Sequence, residues 1–178
     1  ALAREIVTAG EHHVDVETIA RLAAEFQTHR PLSMAEVWAL PVLLRIVLLE
    51  PLASAVAIAL PVEGPTGDTP SDQIVTVCIR SLRTLETTDW KAFFEQVSET
   101  ERILLEDPAG IYARMDFDTR DRYRKVVEEL AARSDWSEEA VAREAVRRSR
   151  EGRGGRNRHV GYHLIDDPSR WIAVATTR

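Results

Sequence analysis

One run constrains this chain more than any other: VLLRIVLLEPLASAVAIALP, residues 42–61. That much apolar surface has to leave water, since each Å2 left exposed forgoes about 25 cal/mol. A membrane-spanning helix wants about 20 consecutive residues with few or no charges. Arg45, Glu50 and Pro51 interrupt the run, and charges are costly at that depth. The expectation is therefore a buried helix at the centre of a bundle, apolar on most sides. Its start is marked at Ser33, which pairs with Glu36 as a capping box, while Leu32 and Val37 can staple the entry. Pro41 is placed to kink this helix, and Pro51 is a second break point.

Helical signals fill most of the remaining chain. Asp15 can cap a helix over 16–28 whose stripe is Val16, Ile19, Ala20, Ala23 and Phe26. The turn-rich PVEGPTGDTPSD, 61–72, reads as a linker. A helix over 72–87 lines up Ile74, Cys78, Leu82 and Leu85, which makes Cys78 a small core residue. Asp89 caps WKAFFEQVSETERILLE, read as one helix with Trp90, Phe93, Phe94, Val97 and Leu104 inward. A fifth helix begins near Asp118 and reaches about Arg133. A sixth begins at Ser137, with acids in its first turn and Arg147 and Arg148 at its end, matching the helix dipole. EGRGGRNR breaks it. In the tail, HVGYHLI and WIAVAT look β-like and could pair around DDPS. The fold class expected is all-α: a bundle of about six helices with a short irregular or β-like C-terminal tail. Its expected divisions are N-terminal helices 1–60, a linker 61–72, a helical subdomain 73–151, and a basic linker and extended tail 152–178.

Composition narrows the class. Of 178 residues, 44% are hydrophobic and 29% charged, which suits a globular chain rather than a disordered one. The net charge of −6 argues against a general nucleic-acid binder. A lone Cys78 excludes an internal disulfide and fits a reducing compartment. The opening ALAREIVTAGEHH has neither the layout of a secretory leader nor an initiator Met, which points to a trimmed chain or a piece of a longer one.

The densest chemistry lies in DPAGIYARMDFDTRDRYRK, 107–125. Asp116, Asp118 and Asp121 invite a metal, but an EF-type loop counted from Asp116 would need Gly and Glu where Asp121 and Val127 stand. A sugar-nucleotide carboxylate pair usually follows a strand, and no strand signal precedes this one. The acids instead suit a helix start: Asp118 as cap, Asp121 in the first turn, with Asp118–Arg122 and Asp121–Lys125 pairs at i, i+4. No metal site is expected here. His159 and His163 flank Gly161-Tyr162 near several acids, so a pH-sensitive or acid–base role is conceivable, though no positioned nucleophile accompanies them. Neither a phosphate-cradling glycine loop nor a serine elbow is present. Arg143, Arg147, Arg148, Arg150, Arg153, Arg156 and Arg158 form a basic cluster opposed in sequence by Glu144 and Glu151. It reads either as a solvated helix end or as a contact for anionic lipid head groups, each Arg near such a surface adding about 1 kcal/mol.

PLSMAEVWALPVLLRIVLLE, the block from CIRSLRTLETTDWKAFFEQVSETERILLEDPAG to IYARMDFDTRDRYRKVVEELAARS, and HVGYHLID together resemble the N-terminal region of bacterial cyclic β-1,2-glucan synthases. The resemblance runs roughly over 31–60, 73–148 and 158–167 and is most specific over 102–134. It implies a large inner-membrane enzyme that builds a cyclic glucan from UDP-glucose, with a divalent metal and the transferase core elsewhere. This chain lacks the transferase's carboxylate and Q-x-x-R-W motifs; PSRW at 168–171 has no Gln. The family also places a longer segment where 61–72 stands. The resemblance therefore implies a non-catalytic scaffold at the cytoplasmic face of the inner membrane, carrying no cofactor of its own and partnered by the rest of the polypeptide. The alternatives are a free-standing helical adaptor and a glucan-binding module, for which Tyr112, Arg114, Tyr123, Tyr162 and Trp171 would be the contacts.

Overall fold

A computed structural model of the chain describes residues 1–59 and 70–166. Among these, eight α-helices and three short helical turns occur, and no strand. The chain divides into two compact units, Ala1–Val97 and Ser98–Arg178; the expected linker over 61–72 lies largely outside the described residues.

The first unit holds α1 (Leu2–Ala9), α2 (Val16–Gln27), α3 (Met34–Ala59), α4 (Pro70–Thr87) and α5 (Trp90–Val97). α1 escaped the sequence reading: its buried side is only Leu2, Ala3, Ile6 and Val7, on a helix of eight residues. The expected caps of α2, α3 and α5 form. Asp15 accepts the Thr18 N–H at 2.8 Å. Ser33 Oγ accepts from Glu36 N at 3.2 Å while Glu36 accepts from Ser33 N at 3.0 Å. Asp89 Oδ1 accepts from the amides of Lys91 and Ala92.

α3 departs from expectation twice. It continues past Pro51, the expected break point, to Ala59. And it is not central: only 22% of its most apolar window is buried. Leu40, Leu44 and Leu48 are buried, but Val42, Leu43, Ile46 and Leu49 are exposed. α1, α4 and α5 pack against it, and a helix apolar on every side cannot be covered by neighbours on one side. Arg45, which interrupted the apolar run in sequence, donates to the Leu85 carbonyl at 3.1 Å and so caps the end of α4. Buried Ser81 of α4 ties down the α1–α2 connection. Its hydroxyl donates to His12 O at 2.7 Å and accepts from Val14 N at 2.9 Å. The bracket holds a turn in which Glu11 and His12 take left-handed backbone angles, φ 49° and 72°.

The second unit holds α6 (Glu99–Leu104), a 3-10 turn (Tyr112–Arg114), α7 (Phe117–Ala132), α8 (Glu138–Glu151), a 3-10 turn (Gly155–Arg158) and a π turn (Tyr162–Asp166). The single helix expected over WKAFFEQVSETERILLE is two helices. Ser98 leaves helical geometry (φ −69°, ψ 117°) and its hydroxyl accepts from Glu101 N, opening α6 afresh. The cap of α7 is Asp116 rather than Asp118; it accepts from Thr119 N at 2.9 Å and Thr119 Oγ1 at 2.8 Å. Ser137 caps α8 as expected. The β-like reading of HVGYHLI fails. Tyr162 N bonds to His159 O and His163 Nε2 to Asn157 O, so the backbone closes on itself as a tight helical turn. WIAVAT lies outside the described residues.

Candidate functional site

Two linked arrangements in the second unit gather its chemistry. The first is a buried charge cluster. Glu101, in the first turn of α6, is fully buried. Its Oε2 accepts from the Tyr112 hydroxyl at 2.7 Å and from Arg124 Nη1 at 2.8 Å, and its Oε1 accepts from Arg120 Nη1 at 2.8 Å. Arg124, only 1% exposed, also donates to Phe117 O at 3.2 Å and Asp121 at 3.4 Å, with its guanidinium 4.4 Å over the Phe117 ring. Burial, and after it the Glu101 anion, pushes the Tyr112 phenol far above its ordinary value, so it stays a donor. Burial disfavours the Arg124 cation, yet Glu101, with Tyr112 and Asp121, more than offsets this and raises it. The cluster braces α6, the 107–116 segment and α7. Glu101 at its centre is fully buried and accepts the bonds from Tyr112, Arg120 and Arg124, so its charge is spent inside the fold.

The second arrangement surrounds Asp107. Its buried carboxylate accepts from the amides of Ile111 and Tyr112 and of Val160, and meets His159 Nδ1 at 2.9 Å. Burial alone would raise Asp107, but the His159 contact and the Tyr112 and Val160 amides together hold it below its ordinary value. An ionised carboxylate only accepts, so the Nδ1 of His159 carries a proton and its Nε2 faces the Tyr123 hydroxyl, 3.4 Å away. Here stands a cavity of about 300 Å3 lined by Ile111, Tyr123, Arg156, His159, Gly161, Tyr162, Ile165 and Asp166. Gly161 makes the approach possible. A Cβ there would sit 2.4 Å from Tyr123 Cε1 and 2.7 Å from His159 Nε2. Tyr123 is itself set edge-on against Tyr112, and Tyr162 against His163, so both rings are held before any ligand arrives.

The structure distributes the expected site residues unevenly. Tyr123 and Tyr162 come together in the cavity. Tyr112 is fully buried and offers no ring to solvent. Arg114 is exposed on the turn Tyr112–Arg114. Trp171 lies outside the described residues. Of the basic cluster, Arg143 pairs with Glu99, Arg147 with Glu144 and Glu151, Arg148 with Glu144, Arg150 with Glu106 and Arg156 with Asp166. Glu99, Glu106 and Asp166 were not among the opposing charges read in sequence, and they reduce the field the cluster projects. Arg153 and Arg158 are exposed and make no ion pair among the described residues. Arg143, Arg147 and Arg150 also rim a second depression, of about 340 Å3, over Ile103 and Trp136. Among the described residues no group of three or more His, Cys, Asp or Glu is arranged to hold a metal ion.

Sequence reasoning weighed His159 but missed Asp107, Glu101, Arg120 and Arg124. For the last two a signal existed: Arg120, Arg124 and Val127 fall at i, i+4, i+7, one stripe of α7.

No family model and no solved structure matches the chain. Over 68 residues, 38% of its length, it is 44% identical to the cyclic beta-(1,2)-glucan synthase NdvB of Rhizobium meliloti (strain 1021). The matched part covers 2% of that protein, so the likeness is to a small piece of a very large relative.

Proposed function

We propose that this chain is a non-catalytic helical scaffold within a protein that makes cyclic β-1,2-glucan from UDP-glucose. The 68-residue similarity to a cyclic glucan synthase carries the reading. The cluster at Glu101 supports it, because its charged groups lock elements together instead of facing an open cleft. On this reading the chain's partners are the transferase and membrane parts of the same polypeptide, at the cytoplasmic face of the bacterial inner membrane. UDP-glucose and a divalent metal would be bound in those parts. The helix Met34–Ile58, long and apolar enough to cross a membrane, fits a place beside lipid. Arg153 and Arg158 are the exposed cations through which the chain would meet anionic head groups.

The test is a chimera. The segment of the Rhizobium synthase matching this chain is replaced by this chain's own residues, and cyclic glucan is measured in membranes. A scaffold predicts that glucan is made, and that Arg124→Met lowers the amount of assembled enzyme while leaving the KM for UDP-glucose unchanged. A changed KM, or UDP release from UDP-glucose by the 178-residue chain alone, would overturn the reading.

A further inference from the structure

The geometry points to the cavity between Tyr123, His159 and Tyr162 as a binding site for a neutral saccharide, the glucan side of the reaction rather than its nucleotide donor. The inference rests on the proposed function for its choice of sugar. The ligand class comes from the cavity itself.

Charge decides the class first. Two carboxylates stand at the site, Asp107 behind His159 and Asp166 beside Arg156, each 2.9 Å from its partner. At most two cations face them, whichever protonation state His159 takes. Among the described lining residues no positive charge is left over, and a nucleoside diphosphate or free phosphate needs a surplus of donors and charge. A divalent cation is equally unsuited, since among the described lining residues only His159 and Asp166 could reach it and a closed site needs more ligands.

Shape and surface then favour a sugar. About 300 Å3 is the small end of the range of roughly 300–1,000 Å3 found for small-molecule sites, which suits one or two rings. A pyranose presents apolar C–H faces and a girdle of hydroxyls. The cavity presents two tyrosine rings, Ile111 and Ile165 for the faces, and the His159 Nε2 and the Arg156–Asp166 pair for the hydroxyls. A tyrosine offers an apolar body with a polar tip, so one side chain meets both parts of the ligand. The absence of a side chain at Gly161 lets Tyr123 and His159 close on the backbone and so sets the shape of the cavity; a Cβ there would fall within 2.7 Å of both His159 Nε2 and the Tyr123 hydroxyl. Asp107 acts at one remove, as a positioning residue: it fixes the His159 ring so that Nε2, not Nδ1, is turned to the cavity.

The experiment titrates the full chain, labelled for amide NMR, with the β-1,2-linked glucose disaccharide, with UDP and with inorganic phosphate. Expected are millimolar binding of the disaccharide, with shifts centred on the amides of Gly161, Tyr162 and Tyr123, and none there from UDP or phosphate. Tyr162→Ala should weaken binding at least tenfold. Gly161→Val, checked for an unchanged amide pattern in α6 and α8, should abolish it. Equal or stronger shifts from UDP or phosphate at the same amides would overturn the proposal. So would no shift with the disaccharide in the tens of millimolar, or undiminished binding by Tyr162→Ala. A chimera that makes glucan while the disaccharide does not bind would sink this inference and leave the scaffold standing; binding with an inactive chimera would do the reverse.

Discussion

Glu101 is the most consequential single side chain in the second unit, and its replacement by Gln can be reasoned through. The substitution keeps the volume and removes the charge. Arg124, 1% exposed, would be left with Phe117 O at 3.2 Å and Asp121 at 3.4 Å, so a buried cation loses its close counter-charge. Breaking a buried pair in this way costs about 3–5 kcal/mol. Arg124→Met should cost less, about 1–3 kcal/mol, because Glu101 keeps Arg120 at 2.8 Å and the Tyr112 hydroxyl at 2.7 Å. The double variant Glu101→Leu/Arg124→Met removes the two most buried charges and takes the shared acceptor from the Tyr112 hydroxyl and from Arg120, whose side chain is 14% exposed and keeps some access to water. It should therefore be less destabilised than Glu101→Gln alone. A unit of about 80 residues is expected to have only about 4–12 kcal/mol of stability, so the first variant lies near the threshold of folding. Urea titration of the full chain, followed by the indole resonance of Trp136 in the same unit, measures all three. Glu101→Gln within about 1 kcal/mol of the parent, or Arg124→Met costing more than Glu101→Gln, would refute the reasoning.

Asp107 gives a pH dependence. Its folded pKa is below the ordinary 3.8, so its contribution is fully present above the unfolded value and is lost as pH falls through the lower folded one. Acid titration should loosen the Val160 and Tyr112 amides, seen as faster hydrogen exchange below about pH 4, and Asp107→Asn should remove that step. Ser81→Ala strands a buried amide at Val14 and the carbonyl of His12 and should cost about 1–3 kcal/mol by denaturant melt. Arg147→Gln, by contrast, breaks pairs whose Arg side chain is 55% exposed and should change stability by less than about 1 kcal/mol, the difference shrinking in high salt.

What the sequence disclosed follows the range over which each interaction acts. Caps at Asp15, Ser33 and Glu36, Asp89 and Ser137 join residues two or three apart, and they form as read. The break at Ser98 was legible in principle, since Ser98-x-x-Glu101 has a capping-box spacing, but the apolar period of the surrounding helices hid it. In the event Glu101 turns to Arg120, Arg124 and Tyr112. Asp116 was passed over for Asp118 because both precede the same helix and only the backbone angles separate them. The site eluded reading for another reason: Asp107 meets His159 across 52 residues, and no local period encodes that meeting. The same holds for Glu99, Glu106 and Asp166, which turn a row of arginines into ion pairs. The exposed flank of α3 was misjudged because all-round hydrophobicity says that a helix avoids water, not how many neighbours are there to shield it.

The junction between Val97 and Ser98 carries a consequence of its own. Gln27 donates to the Val97 carbonyl at 3.1 Å, finishing α5 from within its own unit. Ser98 begins α6 with its own hydroxyl. Each side of that peptide bond is thus sealed by groups that travel with it. A gene recombining at this codon would carry away whole helices with their ends intact, which makes position 97/98 a natural seam for exchanging one unit without the other.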